Sequence, residues 1–249
     1  MSHGIQYASV SLLGLLLGSF LNVLIYRLPR GESIAYPGSR CTECGTRLRP
    51  KDLIPLLSWL WLQGKCRYCG SRIPARYPLV EITTGLLYLA LFVRFGVGLE
   101  FGLGLILLSG LIAVSGMDLV YRRIPNAVTV PLAVSGLIYS AVSDRLLTVQ
   151  SLSGLAVGFF VLFLISLGTK GGMGIGDAKL LGVIGAWTGP DGALMTLFAG
   201  AVVASIVGLI LIAVGVIERK RPIPFGPFLA TAGLVMYLFK SEIIRLWIG

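Results

Sequence analysis

The stretch Gly172-Met-Gly-Ile-Gly-Asp177 places a carboxylate at the edge of a long apolar segment. A charged side chain is costly within a bilayer, so an acid at this position is by default a functional hypothesis. A second acid, Asp118, ends another apolar run. Two acids at membrane borders, with glycines beside one of them, predict a carboxylate pair that activates water.

The composition indicates an all-α polytopic membrane protein. The 249 residues are 55% hydrophobic and 13% charged, whereas soluble domains average about 25% charged residues. The apolar residues form long runs and not the alternating segments of a membrane β-barrel. Because about 20 apolar residues cross a bilayer, the sequence predicts about eight transmembrane helices, at residues 5–26, 79–96, 101–117, 126–143, 151–168, 178–189, 192–217 and 225–247.

The basic residues predict the orientation of these helices. If residues 27–78 are cytoplasmic, 17 of the 21 Lys and Arg fall in inside segments and 4 in outside segments, as the positive-inside rule requires. The net charge of +10 is thus explained by topology, and we expect no nucleic-acid partner. Both Asp118 and Asp177 then lie at cytoplasmic ends of helices. The first run, residues 7–28, is followed by no small-residue cleavage site, so we expect it to remain in the mature protein.

The predicted domains are a first transmembrane helix (1–26), a cytoplasmic insert (27–78) and a transmembrane catalytic domain (79–249). An insert of about 50 residues needs a staple, and four cysteines in two Cys-x-x-Cys pairs offer one. Their spacing suits a structural Zn²⁺ site. Iron or two disulfide pairs are alternatives, although a cytoplasmic location argues against disulfides. The predicted metal ligands are Cys41, Cys44, Cys66 and Cys69.

Two carboxyl groups that share a proton supply both the base and the acid of aspartyl chemistry. Gly174 and Gly176 would let a substrate backbone approach Asp177 or let the loop bend sharply. The competing interpretation pairs each acid with a nearby base, Asp118 with Arg122 and Asp177 with Lys179. His3 is the single histidine and lies near a terminus, so we expect no histidine-based triad.

Several motifs, in order along nearly the whole chain, resemble the bacterial prepilin peptidases, also called type IV leader peptidases. The paired Cys-x-x-Cys insert resembles theirs. Ile175 and Asn126 depart from the family pattern, and neither is a catalytic carboxylate. The further matching segments are Gly18-Ser-Phe-Leu-Asn-Val-Leu-Ile-Tyr-Arg-Leu-Pro29, Pro74-Ala-Arg-Tyr-Pro-Leu-Val-Glu81, Asp118 with Ile124-Pro125, Gly174-Ile-Gly-Asp-Ala-Lys-Leu-Leu181 and Ile223-Pro-Phe-Gly-Pro-Phe228.

This resemblance implies a Gly-x-Gly-Asp aspartyl endopeptidase of the bacterial inner membrane, with its zinc insert and active site facing the cytoplasm. Its substrates would be type IV prepilins or pseudopilins, cut after the glycine that ends a short basic leader. Asp118 and Asp177 match the catalytic positions, and Gly174, Gly176 and Lys179 belong to the surrounding loop. The oligomeric state stays open.

Many members of the family also methylate the new N-terminus with S-adenosylmethionine. The sequence contains no alternating strands and helices of a soluble cofactor-binding fold, so a cofactor site would have to form at a helix–loop border. The polar residues expected near it are Asn22, Arg27 and Glu81.

Two alternatives come from other functional classes. An ion carrier could use Asp118 and Asp177 as a relay, but carriers often have internal repeats, and we identify none. A membrane scaffold could bind a partner through the zinc insert, which would leave the two aspartates unexplained.

Overall fold

The computed structural model describes residues 3–143, 146–168, 174–218 and 223–248. Within these ranges the regular elements are helices, accompanied by two isolated β-bridges. Two short 3-10 helices, Leu28–Arg30 and Pro50–Asp52, lie in the insert. The α-helices are α1 (His3–Arg27), α2 (Leu57–Trp61), α3 (Arg76–Phe95), α4 (Leu99–Tyr121), α5 (Asn126–Val142), α6 (Thr148–Gly168), α7 (Ile175–Ala213) and α8 (Gly226–Ile248).

Six of the described helices are long and apolar enough to cross a membrane, namely α1, α3, α4, α6, α7 and α8. Large apolar side chains are exposed along them, as expected of helices that contact lipid. The helix α5 is apolar but has only 17 residues. The all-α polytopic fold is confirmed. The difference between six long helices and about eight predicted spans comes from α5 and from the form of α7.

The helix α7 consists of two arms. Its 39 residues would extend about 58 Å if straight, twice the roughly 30 Å of a hydrocarbon core. Gly189 interrupts it with φ 80° and ψ 177°, and Pro190 follows. A Cβ on Gly185 would lie 3.2 Å from the Cβ of Ala193, although residues eight apart in a straight helix are about 12 Å apart. The arms, residues 175–188 and 190–213, therefore fold back on each other, and they correspond to the predicted spans 178–189 and 192–217.

Side chains of neighbouring helices donate hydrogen bonds to backbone carbonyls at this break. Pro190 has no N–H to donate to the carbonyl of Ala186, and the Ser151 hydroxyl donates to that oxygen instead at 2.6 Å. The Lys240 ammonium group donates to the carbonyl of Thr188 at 2.5 Å. The carbonyls freed by the break are thereby satisfied inside the protein, as a membrane environment demands.

The chain divides into two compact units, Met1–Ala113 and Val114–Gly249. In the first unit, α1 and α3 approach closely at glycines. A Cβ on Gly14 would lie 2.7 Å from the Cα of Gly85, and one on Gly18 would lie 2.7 Å from the Cα of Glu81. Small residues at such crossings let helices approach closely in membranes. The predicted boundaries at residues 26/27 and 78/79 concern function and stay a prediction.

In the second unit, the helix directions bring several helix ends together. Lys179 contacts Asn126 and Trp187 contacts Leu132, so α5 runs parallel to the first arm of α7. Thr188 contacts Lys240, and a Cβ on Gly233 would lie 2.7 Å from Ile184, so α8 is also parallel to that arm. The starts of α5, α7 and α8 therefore lie at one end of this unit.

Candidate functional site

Asp118 lies in the last turn of α4 and is buried, with 7% of its surface exposed. Its Oδ2 accepts a hydrogen bond of 2.9 Å from the backbone N–H of Gly226, at the start of α8. Arg122 acts on this carboxyl electrostatically. The carboxyl is therefore held by a backbone donor from a distant part of the chain.

Asp177 lies in the first turn of α7 and is half-buried. Its Oδ2 accepts a hydrogen bond of 3.3 Å from the N–H of Gly174, while its own N–H donates to the carbonyl of Gly174 at 3.0 Å. These reciprocal bonds fix the side chain at the helix N-terminus. Gly172 and Met173, which belong to the motif, lie outside the described residues, as does Lys170.

The two carboxyl groups are close enough to interact electrostatically, although 59 positions separate them in sequence. Adjacent carboxyls cannot easily both be ionised, so one tends to carry a proton while the other does not. A group of this kind can abstract a proton from water and donate one to a leaving group. The arrangement suits hydrolysis by a carboxylate pair.

The three loop residues predicted around Asp177 have different surroundings. Gly174 has φ −79°, a conformation open to any residue, so its backbone does not require glycine. Gly176 allows a close approach, because a Cβ there would lie 3.1 Å from the Cβ of Ile124. Lys179 donates to the Oδ1 of Asn126 at 2.8 Å. In place of the pairing with Asp177, Lys179 connects the starts of α7 and α5.

The four cysteines of the insert form a compact cluster. Their Sγ atoms all lie within 4.8 Å of one another, and those of Cys41 and Cys69 are 3.9 Å apart. Four thiolates at about 2.3 Å from a tetrahedral zinc ion would be about 3.8 Å apart. The cluster could therefore hold a metal ion of this size.

The two cysteine pairs lie on equivalent turns. Gly45 and Gly70 have φ of +70° and +72°, in the left-handed region that favours glycine. Each donates its N–H to the carbonyl of the first cysteine of its pair, at 3.0 and 2.9 Å. Isolated β-bridges close both turns, Arg40 with Arg47 and Lys65 with Arg72. The insert thus contains the same two-cysteine turn twice.

Backbone and hydroxyl donors prepare two of the thiols for metal binding. Although burial opposes ionisation of Cys41, the backbone N–H groups of Cys44 and Glu43 and the Ser71 hydroxyl lower its pKa to about 6. The Ser71 hydroxyl and backbone lower the pKa of Cys69. Burial raises the pKa of the Cys66 thiol. Because metals bind thiolates, the lowered pKa values of Cys41 and Cys69 favour metal binding.

Asp52 joins a preceding loop to the second turn. It accepts hydrogen bonds from the Arg67 guanidinium at 2.7 Å and the Tyr68 hydroxyl at 2.9 Å. It also accepts one from the backbone N–H of Arg49 at 3.1 Å. Desolvation would raise the pKa of Asp52, but these donors hold it below its ordinary value of 3.8.

Asn22, Arg27 and Glu81, the residues predicted near a cofactor, line one cavity in the first unit together with the cysteine cluster. Its volume is about 580 Å³, within the range of small-molecule sites. All three are buried. The cavity is also lined by Tyr26, Glu32, Trp59 and Tyr77.

These three residues also support the walls of the cavity. Asn22 donates to the carbonyls of Gly18 and Tyr77 at 3.2 and 3.1 Å. The Arg27 guanidinium donates to two backbone carbonyls of the following loop, at 2.9 and 3.2 Å. The Glu81 carboxylate accepts a hydrogen bond of 2.7 Å from the backbone N–H of Leu56. Leu56 is a non-glycine residue with φ 61°. The insert is thus anchored on α1 and α3.

Gly226 was missed as part of the site by sequence reasoning. The segment Ile223-Pro-Phe-Gly-Pro-Phe228 was recognised as a motif, and no role was attached to it. The sequence separation of Gly226 and Asp118 does not predict their contact, because Gly226 contributes a backbone N–H and not a side chain. A glycine between two prolines at the start of an apolar helix was the available sign that the backbone matters there.

Comparison with known proteins gives two family matches. The Bacterial Peptidase A24 N-terminal domain matches residues 12–95, and the Type IV leader peptidase family matches residues 105–209. A prepilin leader peptidase/N-methyltransferase of Xanthomonas campestris pv. campestris is 37% identical over 97% of this chain and 94% of its own.

Relatives of the same name from other bacteria are similar over nearly their full length. That of Pseudomonas aeruginosa is 36% identical over 99% of this chain and 95% of its own. That of Bacillus subtilis is 34% identical over 94% of this chain and 95% of its own. No solved structure was found to match the chain.

Proposed function

The chain belongs to the type IV leader peptidase family, and on this premise we propose that it is a membrane-embedded aspartyl endopeptidase. Its substrates are type IV prepilins or pseudopilins, from which it removes a short basic leader after a glycine. Asp118 and Asp177 are the catalytic carboxyls. The observation that carries this proposal is that these two acids lie close enough to interact electrostatically, at one end of the second unit.

The chemistry follows from two carboxyls that share one proton. The ionised carboxyl takes a proton from water, and the resulting hydroxide adds to the carbonyl carbon of the scissile bond. The protonated carboxyl donates its proton to the leaving nitrogen as the C–N bond breaks. Glycine before the scissile bond helps the substrate to unwind, because glycine is easily accommodated in irregular backbone.

The test is cleavage of a prepilin by purified protein in detergent. We expect Asp118→Asn and Asp177→Asn each to abolish cleavage. The matched control is Asp191→Asn, the same change at an exposed acid of the second α7 arm, which should cleave like the wild type. Cleavage by either catalytic-site variant at the wild-type rate would refute the assignment.

Family membership favours this enzyme over an ion carrier or a scaffold. The broken helix α7 is a feature that carriers share, but we identify no internal repeat in the sequence. A scaffold needs no pair of interacting acids at a membrane border.

The second activity that we propose is N-methylation of the new N-terminus with S-adenosylmethionine, bound in the cavity of the first unit. The residues present fit this group. Glu32 and Glu81 offer carboxylates for its cationic sulfonium and amino groups, Arg27 a partner for its carboxylate, and Tyr26 and Tyr77 aromatic faces. The bound cofactor supplies an electrophilic methyl group, while the protein residues orient it and exclude water.

Binding of labelled S-adenosylmethionine to metal-loaded protein tests this location. Arg27→Gln and Glu81→Gln should bind the cofactor at least about tenfold more weakly, a loss typical of one charged hydrogen bond. Glu100→Gln, in α4 and outside the cavity lining, is the control. Wild-type affinity in both cavity variants would exclude this cavity as the site.

The cysteine cluster is proposed to bind Zn²⁺ in a structural role, since four protein thiolates leave no open coordination position for chemistry. The strong bias of basic residues supports an orientation in which the insert and the catalytic carboxyls face the cytoplasm, in the bacterial inner membrane.

A further inference from the structure

The backbone N–H of Gly226 is directed to Asp118 by the construction of the α8 N-terminus. The first N–H groups of a helix have no carbonyl partner within the helix. Pro227 has no N–H, and the N–H of Phe228 donates to the carbonyl of Phe225. The Gly226 N–H donates to Asp118 Oδ2 at 2.9 Å, and this bond is buried.

The absence of a side chain at Gly226 makes room for the same carboxyl. A Cβ at this position would lie 2.8 Å from Asp118 Oδ2 and 3.2 Å from its Cγ. The nearest atoms are all on the Asp118 side chain, so a methyl group would be accommodated by turning the carboxyl away. The Cβ of Asp118, also 3.2 Å away, would have to give by a few tenths of an ångström. The orientation of the Asp118 carboxyl thus depends on Gly226 in two ways. Gly226 donates the hydrogen bond, and its lack of a side chain leaves room for the carboxyl.

We propose that Gly226 is a positioning residue of the peptidase reaction, which sets the orientation of the Asp118 carboxyl toward the substrate. This inference rests on the proposed catalytic role of Asp118. Orientation matters because a displacement of about 1 Å in a reacting group can reduce the rate about 100-fold. The start of α8 is therefore part of the active site without providing a side chain to it.

The first test compares Gly226→Ala with Gly200→Ala in prepilin cleavage. Gly200 packs against the first turn of the same helix, and its added Cβ would meet Leu229 at an ordinary 3.4 Å. We expect Gly226→Ala to lower kcat about 100-fold with KM within twofold, and to melt within a few degrees of Gly200→Ala. A kcat within threefold of the wild type in folded Gly226→Ala would overturn the proposal.

A second variant removes the donor without adding an atom. Glycolic acid incorporated at position 226 during cell-free synthesis replaces the N–H by an ester oxygen. We expect kcat to fall about tenfold, the effect of one hydrogen bond to a charged group, again with KM unchanged. If Gly226→Ala does not fold, this variant decides, and an unchanged kcat refutes the inference.

Asp118→Asn in the same assay separates the two levels of the argument. If Asp118→Asn still cleaves, the proposed function itself fails. If Asp118→Asn is inactive while both changes at Gly226 leave kcat unaltered, the catalytic pair stands and the positioning role of Gly226 is wrong.

Discussion

At the scale of residues, Asp52 connects parts of the insert through charged hydrogen bonds. The Asp52 side chain is only 3% exposed. It accepts a hydrogen bond from Arg67, which lies between the two cysteines of the second pair. Partners that orient the surroundings of a metal site commonly affect how well the metal is held. Because an insert of about 50 residues is too small for a large core, such contacts are more important in it than in a large domain.

Asp52→Asn should therefore weaken the insert. We expect the midpoint of thermal zinc release to a chromogenic chelator to fall by about 5 °C at pH 7, the effect of about 1 kcal/mol in a small domain. Glu43→Gln, at an exposed position in the first turn, is the control and should not shift the midpoint.

The pH dependence of this difference follows from the pKa of Asp52, which is held below 3.8 in the folded protein. An acid whose pKa is lowered by folding stabilises the folded protein at pH values above its unfolded-state pKa. This stabilisation is lost as the pH falls through the folded-state pKa. The difference between wild type and Asp52→Asn should therefore be equal at pH 7 and pH 5.5. A difference that shrinks between these values would contradict the role of Asp52 as an ionised acceptor.

Residue type and position were sufficient to select as candidates the two acids and the four cysteines that the structure brings together. Asp118 and Asp177 stand out because charge is costly beside apolar runs, and cysteine spacing limits the possible sites. Backbone contacts leave no comparable trace, which is why the hydrogen bonds from the N–H groups of Gly226 and Leu56 could not be predicted. The competing interpretation, in which Lys179 pairs with Asp177, did not anticipate Asn126, which the fold brings to Lys179 from another helix.

At the scale of elements, the break in α7 connects packing to chemistry. Gly189 and Pro190 are strong sequence signals for a break, and they divide one apolar region into two predicted spans. The break lets the first arm remain short while Asp177 stays at its start. The sequence could not indicate which side chain would satisfy the Ala186 carbonyl, since Ser151 lies on the preceding helix.

Ser151→Ala should destabilise the second unit by about 1 kcal/mol, because it leaves the Ala186 carbonyl without its donor in a buried position. Hydrogen bonds between membrane helices are typically worth about 0.6–2 kcal/mol. Unfolding in increasing SDS measures the change.

Ser153→Ala is the matched control on the same helix. Its hydroxyl donates to the carbonyl of Gln150, within α6, at 3.1 Å. Removal of this local bond should change stability little. Equal stability of the two variants would show that the Ser151 bond does not support the break.

At the scale of the whole molecule, the distribution of charge and the exposed apolar faces together specify a membrane topology. Large apolar side chains on the candidate spans are exposed, and lipid is the solvent in which such surfaces are favourable. The predicted orientation requires both arms of α7 and the short helix α5 to cross the membrane, because each loop must reach the side that its charge favours. The predicted orientation of the protein thus depends on the charges of all the loops together and not on any single residue.

The cysteines provide a direct test of orientation, because all four of them lie in the insert, between residues 41 and 69. After metal is removed with a chelator, a membrane-impermeant maleimide should label the wild-type protein in inverted inner-membrane vesicles and not in intact spheroplasts. The matched control is Gly98→Cys, between α3 and α4, where an added side chain meets nothing within 4 Å. It should add a site that is labelled in spheroplasts. Labelling of the native cysteines from outside, with Gly98→Cys labelled from inside, would contradict the predicted topology and would separate the proposed catalytic carboxyls from a cytoplasmic leader.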